Sequence, residues 1–517
     1  MNKRLKASLF LSFLLFLSGC GRIEKTEQVF SLSVGYLSSK EGRVLIDEEE
    51  EVTQAPFHTA INGKIYYYEG DYSQSELASM EEEFDSTFSY CHALTDRHYH
   101  YSLVAEDGKK ESINNIAVLN ENYGSGKSVK VDSFLYDLLK KSYEFTLNSE
   151  GRFNRFLGNI NDIYEEKLSS EESFDTEFKK NSILSSTTGM RFSSFSKEEK
   201  EKIDSLTASL PKTKEDRSSI LVFDDSSSSV TFNRYKDTNL QISLGGNAKG
   251  FATEYFCDKR LSKYPKISRI INSGSSSIKA VGERPDGREW KIQYVNPCEK
   301  ESFFLDKYNP YEVLVSHSGP FNLSTSGYYE QYFYSYLPDE AGIYHKDSPF
   351  IRNSHIINPK TGYSTSCFDQ VSVFLNDAGL ADRYTTALRN ASSLSQAKTR
   401  FEAWNKIYRV EDSGLILCRK ENKEGDAYSF KRGDYAPLQE NGLPLIKTGN
   451  GVYTGDFSNL SSLPEEYLSQ YQASFSEAYY LTENRKKEAS LIKDGLSYPL
   501  VSLLRDLKGE KKVDCVI

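Results

Sequence analysis

Residues 241–255 read QISLGGNAKGFATEY, and this stretch decides the fold. Its first four residues alternate like the end of a strand and the sequence from Ala248 favours a helix, so Gly245 and Gly246 lie at a strand-to-helix turn. The first N–H groups of a helix are unpaired, glycine lets the backbone approach a phosphate, and Lys249 adds a positive charge. The turn therefore predicts an anion site; tight packing of helix on sheet is the alternative explanation of the glycines.

The composition is that of an acidic, well-hydrated protein. The chain has 517 residues, 38% of them hydrophobic, and a net charge of -10. This length allows two or three domains. Because no basic stripe is available to neutralise phosphates, we expect no nucleic-acid partner. The seven cysteines show no CxxC spacing, which predicts neither a disulfide framework nor a zinc site.

The start of the chain has the three regions of a bacterial lipoprotein signal. Three basic residues within positions 3–6 precede an apolar run over 9–17, which is followed by Ser-Gly-Cys ending at Cys20. The run is too short to span a bilayer. We predict a signal peptide over 1–19, lipidation at Cys20, a tether over 20–51 and a lipid-anchored location on the extracytoplasmic side of the cell membrane. The alternatives are an ordinary secreted protein or an uncleaved anchor.

Four potential metal ligands lie close together near residue 95: Cys91, His92, His98 and His100. Nitrogen and sulfur ligands suit zinc or copper. No second cysteine pair or HExxH helix accompanies them, so we favour an exposed loop with incidental histidines.

A helix is predicted over residues 376–390, which read NDAGLADRYTTALRN. Asn376 or Asp377 can cap it, which leaves Asp382 and Thr386 at i and i+4 on one face. A carboxylate and a hydroxyl are hard oxygen ligands of the kind that Mg²⁺ prefers. The alternative is a solvated helix face.

A histidine with a possible catalytic role lies in residues 354–362, SHIINPKTG. His355 is one of only seven histidines in the chain. Imidazole titrates near neutral pH and can accept a proton from an attacking hydroxyl, so His355 is the candidate base. The alternative is a structural histidine beside a strand.

These segments and three others resemble, in order, the ApbE family of FAD:protein FMN transferases. The glycine turn resembles the family's LGGxAKGxA motif. The other resemblances are GRFNRFLG at 151–158 to GxFDxTxG, NSGSS at 272–276 to NxGG(D/N), TSGYYEQYF at 325–333 to TSGxYExxF, HIINPKTG at 355–362 to HIxxPxTG, and DAGLADRYTTAL at 377–388 to DAxxADxxxTAL. The chain departs from these patterns at four positions: Asn154, Phe156, Ser275 and Ser276.

The resemblance implies a fold and a domain organisation. It implies an α+β, T-fold-related architecture with mixed and antiparallel sheets, flanking helices and an FAD site between lobes. The family domain covers about residues 52–435, with 410–419 as its closing strand, and 436–517 form a C-terminal extension of unassigned role.

The resemblance also implies an activity, which is Mg²⁺-dependent transfer of FMN from FAD to a threonine hydroxyl of a partner protein, with release of AMP. The partner would be an acceptor protein of an electron-transfer system. His355 or a nearby carboxylate would take the proton. The metal ligands would be the carbonyl of Ala248 with Asp382 and Thr386. The residues that would bind the flavin nucleotide are Gly245, Gly246, Lys249, Asn272, Gly274, Thr325, Ser326, Tyr329 and Thr361.

Two other functions use the same residues. One is a flavin-binding lipoprotein without transfer, and the other is an FAD hydrolase giving FMN and AMP. Residues 204–209, DSLTAS, lack the glycine of the family's acceptor sequence, so we expect no self-flavinylation.

Overall fold

The protein is described by a computed structural model. The described residues are 26–40, 42–169, 195–274, 276–287, 290–295, 312–317, 320–327, 331–336, 350–365, 367–368, 370–411, 413–421, 424–432, 439–440, 443–446 and 452–453. Cys20, Tyr329 and most of the C-terminal extension, including a helix-like pattern at 464–492, lie outside them.

The strands, in chain order, are Glu27–Ser33 (β1), Leu37–Ser38 (β2), Val44–Ile46 (β3), Thr53–Gln54 (β4), Ile61–Tyr68 (β5), Tyr101–Val104 (β6), Lys110–Ser112 (β7), Ser128–Lys130 (β8), Leu221–Asp224 (β9), Ser229–Phe232 (β10), Ser268–Ser273 (β11), Ser277–Val281 (β12), Trp290–Val295 (β13), Glu312–His317 (β14), Phe321–Gly327 (β15), Tyr332–Tyr336 (β16), Phe350–Ser354 (β17), Gln370–Phe374 (β18), Ser413–Glu421 (β19), Glu424–Arg432 (β20), Gln439–Glu440 (β21), Leu443–Ile446 (β22) and Val452–Tyr453 (β23). The α-helices are Gln74–Thr95 (α1), Ile116–Glu121 (α2), Ser133–Asn148 (α3), Gly158–Ser169 (α4), Lys197–Ser209 (α5), Lys214–Ser218 (α6), Ala248–Tyr255 (α7), Ala378–Arg389 (α8) and Leu394–Ile407 (α9).

An eight-stranded sheet in the order β1-β5-β11-β12-β15-β18-β19-β20 is the largest element of the fold. Every pairing in it is antiparallel. A five-stranded sheet, β4-β2-β3-β6-β7, contains one parallel pair, and smaller sheets join the remaining strands. The predicted α+β class, with mixed and antiparallel sheets and flanking helices, is confirmed.

Helices α7 and α8 pack on one face of the large sheet. Side chains alternate between the two faces of a strand, so every second residue of β15 and β11 meets these helices. The Ser326 hydroxyl donates to Thr385 Oγ1 of α8 at 2.9 Å, and the hydroxyls of Ser273 in β11 and Thr253 in α7 are 2.7 Å apart. The sheet therefore fixes the positions of both predicted site helices.

Part of the predicted tether belongs to the folded unit. All seven residues of β1 pair with β5, and Leu32 is 2% exposed. The acidic run at 47–51 suggested a loose lead-in, but the preceding EQVFSLS has enough β-branched and aromatic residues to add an edge strand. The folded unit thus includes Glu27–Ser33, which precede residue 52.

Three local predictions differ from the structure. Residues 241–244 are extended but join no sheet, because their backbone bonds instead to 155–158, as in Ser243 N to Arg155 O at 2.8 Å. Asp286 and Gly287 suggest a hairpin turn, and Gly287 N does donate to Arg284 O at 3.0 Å, but β12 before this turn pairs with β11 and β15 rather than with β13. Strand β19 does not close the sheet, since β20 pairs along it and forms the edge.

Residues 169–202 are charged and rich in serine, which suggests an inserted surface segment, and the described end of this stretch is helical. Ser196 caps α5 in a capping box with Glu199, which explains where the helix begins. Ile203 is fully buried, so α5 is packed against the fold. Among the described residues, no helix combines the length and apolarity that crossing a bilayer requires.

Candidate functional site

The predicted glycine turn and the predicted metal-binding helix are in direct contact. The N–H of Gly250 in α7 donates to Asp382 Oδ2 of α8 at 3.0 Å. A Cβ at position 250 would lie 2.5 Å from Ala378 O, so only glycine allows the two helices to approach this closely. Gly250 therefore serves packing, as the alternative explanation proposed, and the same packing brings the aspartate to the turn.

Asp382 is a buried carboxylate with a perturbed pKa. Its side chain is 3% exposed. Burial raises the pKa to about 6, while the positive charge of Lys249 and the Gly250 N–H oppose the shift. Among the described residues its hydrogen bond engages only Oδ2. A divalent cation at Oδ1 would offset the desolvation that raises this pKa.

Thr386 lies one helical turn after Asp382 and contacts the other end of the glycine turn. Its hydroxyl donates to Gly246 O at 2.9 Å. Ala248, the third predicted ligand, is the first residue of α7 and is buried beside them. A carboxylate, a hydroxyl and a carbonyl at the start of a helix form an oxygen-only donor set, which fits Mg²⁺.

Two further predicted residues of the glycine turn are accessible to a ligand. Gly245 is exposed, and a Cβ there would meet nothing within 4 Å. Lys249 is half-buried and close enough to affect the pKa of both Asp382 and His355. The turn thus offers open backbone and one positive charge beside a buried carboxylate, an arrangement suited to an anion bound with its metal.

His355 follows β17 directly and is exposed. Its Nδ1 lies 3.2 Å from Gln331 O, and because a carbonyl only accepts, Nδ1 carries the proton and Nε2 is the proton acceptor. The surrounding protein and the nearby charge of Lys249 lower the pKa to about 4. The imidazole is therefore neutral at pH 7 and can accept a proton.

The remaining predicted ligand-binding residues are spread over the sheet. By strand alternation Ser326 faces α8, whereas Asn272 and Thr325 point to the opposite face of the sheet. Gly274 lies at the end of β11, with its N–H donating to Ala60 O at 3.0 Å. Thr361 is exposed on the loop after His355. The structure brings the turn, Asp382 and Thr386 together, and the nucleotide-binding role of the others stays a prediction.

The structure also brings two other acidic residues together, Asp377 and Glu254, and the sequence analysis did not predict this contact. Asp377 caps α8, and Glu254 of α7 accepts a hydrogen bond from Gly379 N at 3.3 Å. Burial, followed by the negative charge of Asp377, raises the pKa of Glu254 to about 8. The pair joins the end of α7 to the start of α8. One sequence signal indicated this pair: Glu254 follows Gly250 by one helical turn, so both lie on the same face of α7.

The four potential metal ligands near residue 95 do not form one group. Cys91 and His92 are buried in α1, and His92 Nδ1 accepts from Phe57 N at 3.0 Å. The expectation of an exposed loop is therefore wrong for these two residues. It holds for His98 and His100, whose rings lie 2.9 and 2.8 Å from the carboxylates of Glu165 and Glu121.

A different acidic cluster surrounds His98. The ligating atoms of His98, Asp162 and Glu165 lie within 4.8 Å of one another. The guanidinium of Arg97 pairs with both carboxylates, at 2.7 Å for Glu165. The negative charge that would attract a cation is thus already compensated.

The fold and the site together define a class of protein. An antiparallel sheet carries two helices that bring an open glycine turn and a lysine against a buried carboxylate and a hydroxyl, an arrangement that would suit an oxygen-ligated metal beside a phosphate.

Comparison with known proteins identifies the family. The model of the ApbE family matches residues 91–399, and the chain belongs to this family, as the sequence motifs predicted. The FAD:protein FMN transferase of Rhodobacter capsulatus is 23% identical over 323 residues, which cover 62% of this chain and 51% of that protein. This chain therefore spans about half the length of that relative.

Solved structures show the same fold. The flavin transferase ApbE from Vibrio cholerae is similar with a TM-score of 0.51 and 14% identity, covering 80% of this chain and 100% of that one. The ApbE protein from Thermotoga maritima gives a TM-score of 0.47 at 16% identity, with coverages of 75% and 94%.

Proposed function

We propose that this protein transfers FMN from FAD to a threonine hydroxyl of a partner protein and releases AMP, using Mg²⁺. The contact that supports the proposal most strongly is the one between Gly250 N and Asp382 Oδ2, because it brings the buried carboxylate against the glycine turn. Membership of the ApbE family and the transferase activity named for its Rhodobacter relative support the same reaction.

The turn and its neighbours would bind the diphosphate of FAD. Open backbone at Gly245 and the ammonium of Lys249 would contact its oxygens. Asp382, Thr386 and the carbonyl of Ala248 would hold Mg²⁺, which when bound neutralises phosphate charge and polarises the phosphorus.

His355 would take the proton from the acceptor threonine. Its Nε2 carries the free electron pair, and Gln331 O fixes the ring orientation. Lys249 contributes to the low pKa of His355, and a bound diphosphate would compensate that charge. Substrate binding is thus expected to raise the pKa of the base toward neutrality, where proton transfer is most efficient.

The location and the partner are part of the proposal. A lipid on Cys20 would hold the protein at the outer side of the cell membrane, and the acceptor would be a membrane-associated electron-transfer protein. The support is the lipoprotein-type sequence of residues 1–20 and the family's activity.

The proposal is tested by mass spectrometry of a threonine-bearing acceptor peptide. The full chain, solubilised in mild detergent, is incubated with the peptide, FAD and Mg²⁺, with and without a chelator. We expect a mass increase equal to FMN on the peptide threonine, stoichiometric AMP, and no product with the chelator or with Asp382→Ala.

Two other results would replace the proposal. FAD retained intact and unmodified peptide would identify a flavin-binding protein. Release of FMN and AMP with every tested threonine peptide and whole acceptor protein unmodified would identify a hydrolase. A peptide in which the threonine is replaced by valine is the matched negative control.

A further inference from the structure

A group of positive side chains lies beside the candidate site and takes no part in it. It comprises Arg152, Arg217, Lys360 and Arg400, from four separate segments of the chain, and we call it the cationic cluster. Glu150 is the carboxylate that contacts it, through an ion pair with Arg400. Among the described residues that affect the pKa of Lys360, three are these arginines and one is Glu150.

A tight turn gathers the cluster. Glu150 and Gly151 both have positive φ, at +54° and +76°. A Cβ at Gly151 would lie 2.9 Å from Arg217 Nη2 and 3.8 Å from Lys360 Cε. The absence of a side chain at this glycine lets two cations approach the same point, at an exposed edge where Lys360 is accessible.

The cluster is connected rigidly to the candidate site. The side-chain nitrogen of Asn390 donates to Arg152 O at 3.1 Å and to Ile357 O at 3.2 Å. Asn390 follows Thr386 by one helical turn, and Ile357 follows His355 by two residues. The cluster therefore lies next to the loop that carries the candidate base.

The charges of the cluster are poorly balanced. Among the described residues the four cations face Glu150, and Asp216 acts on Arg217, on a protein whose net charge is -10. Desolvation is the largest cause that lowers the pKa of Lys360; the positive charges of the three arginines act in the same direction, and Glu150 opposes them. An anion bound here would relieve that repulsion.

We propose that the cationic cluster binds acidic side chains of the acceptor protein on either side of its threonine. This inference rests on the proposed transfer reaction. An acidic enzyme repels an acidic partner at long range, and a local positive patch beside the base both attracts such a segment and sets its orientation.

Two of the arginines are buried and held in place by backbone carbonyls. Arg217 donates to Pro211 O and Lys212 O at 3.0 and 2.7 Å, and Arg152 donates to Asn390 O at 2.8 Å. Because both side chains are buried, neither guanidinium group extends outward to enclose a ligand. They act as a fixed positive field, while the exposed Lys360 makes the direct contact.

The test compares two acceptor peptides that differ only in charge. One carries aspartates on both sides of the threonine and the other carries asparagines. The full chain is assayed with each peptide at low and high salt, as wild type, as Lys360→Glu, and as the control Lys127→Glu, which makes the same charge change at another exposed lysine.

We expect Lys360→Glu to raise KM for the acidic peptide about tenfold at low salt, with kcat and KM for FAD unchanged. The neutral peptide and the Lys127→Glu variant should show no change, and added salt should abolish the difference between the peptides. An equal loss for both peptides, or a raised KM for FAD, would overturn the proposal and assign the cluster to the nucleotide.

A binding assay separates this inference from the proposed reaction. Fluorescence anisotropy of the labelled acidic peptide is measured without FAD. Binding by wild type that Lys360→Glu weakens about tenfold supports the cluster even if no FMN is transferred. Equal binding by the two proteins would refute the cluster even if transfer is observed.

Discussion

The two halves of the candidate site are built differently. The α7–α8 contact is made by backbone and buried side chains, and glycine at position 250 leaves no space between the helices. The loop at 354–364 is more exposed, and it is held by helices α4 and α5. Tyr164 of α4 accepts from Ser364 N at 3.2 Å, and Tyr363 donates to Asp204 of α5 at 3.1 Å. Core packing thus positions the proposed metal ligands, whereas helices α4 and α5 hold the loop that carries the proposed base.

The largest effect should come from the buried half. Asp382→Ala removes the proposed charged metal ligand and should lower kcat/KM by about 10³-fold or more. Asp382→Asn keeps the shape and should lose as much activity, which separates charge from packing. Cation binding measured by calorimetry in the presence of FAD should disappear in both.

The stability of the same variant tests the burial argument. The folded pKa of Asp382 lies above its usual value, so ionisation is harder in the fold and stability falls as pH rises from about 4 to 6. Asp382→Asn should remove this fall in metal-free protein, as urea unfolding at pH 4, 6 and 8 would show. A variant less stable than wild type at pH 8 would contradict it.

The exposed half should give the next largest effect. His355→Gln should lower kcat about 10²- to 10³-fold and leave the affinity for FAD unchanged. In wild type, kcat/KM should fall below pH 4 to 5 because the free imidazole has a pKa of about 4, whereas the fall in kcat should begin at higher pH. Identical midpoints for the two profiles would show that bound FAD does not affect the base.

Alanine substitutions at Gly250 and Gly245 compare a glycine inside the α7–α8 contact with one outside it. Gly250→Ala would place its Cβ 2.5 Å from Ala378 O and should cost about 2–3 kcal/mol of unfolding free energy. Gly245→Ala meets nothing within 4 Å, so its stability should change little while KM for FAD rises. Thermal unfolding with parallel kinetics measures both. Equal destabilisation would mean that α7 and α8 are not in contact.

Gly362 and Gly287 form the corresponding pair for the loop. Both have positive φ, at +78° and +69°, so alanine costs about 1–2 kcal/mol at either position. At Gly362 the new Cβ would also meet Thr207 Oγ1 at 2.2 Å and Ile203, whereas Gly287 has open space. We expect only Gly362→Ala to lower kcat as α5 moves away. Unchanged activity would show that α5 does not support the base.

The smallest effect should come from Glu254. Its pKa of about 8 means that the folded protein keeps a proton that the unfolded chain loses near pH 4.5, so stability falls as pH rises between these values. Glu254→Gln should flatten this part of the stability curve. A slope as steep as that of wild type would show that another group carries the proton.

The sequence predicted the buried half better than the exposed half. Asp382, Thr386 and the glycine turn are each recognisable because local spacing determines helix faces and turns, and Asp377 was correctly a candidate cap. The members of the cationic cluster are 40 or more positions apart in the sequence, and Glu254 and Asp377 are 123 positions apart. Such pairs depend on how strands are ordered, which one sequence does not specify. Strand β1 was missed because an acidic run follows it.

The pairing of β1 has a consequence for the reach of the proposed anchored enzyme. With lipid on Cys20, only six residues would lie between the membrane anchor and Glu27, the first residue of β1. An extended chain of that length spans at most about 25 Å, which is less than the diameter of the folded unit. The folded unit would then be held close to the bilayer surface. It would modify only those acceptor proteins whose threonine is presented near the lipid.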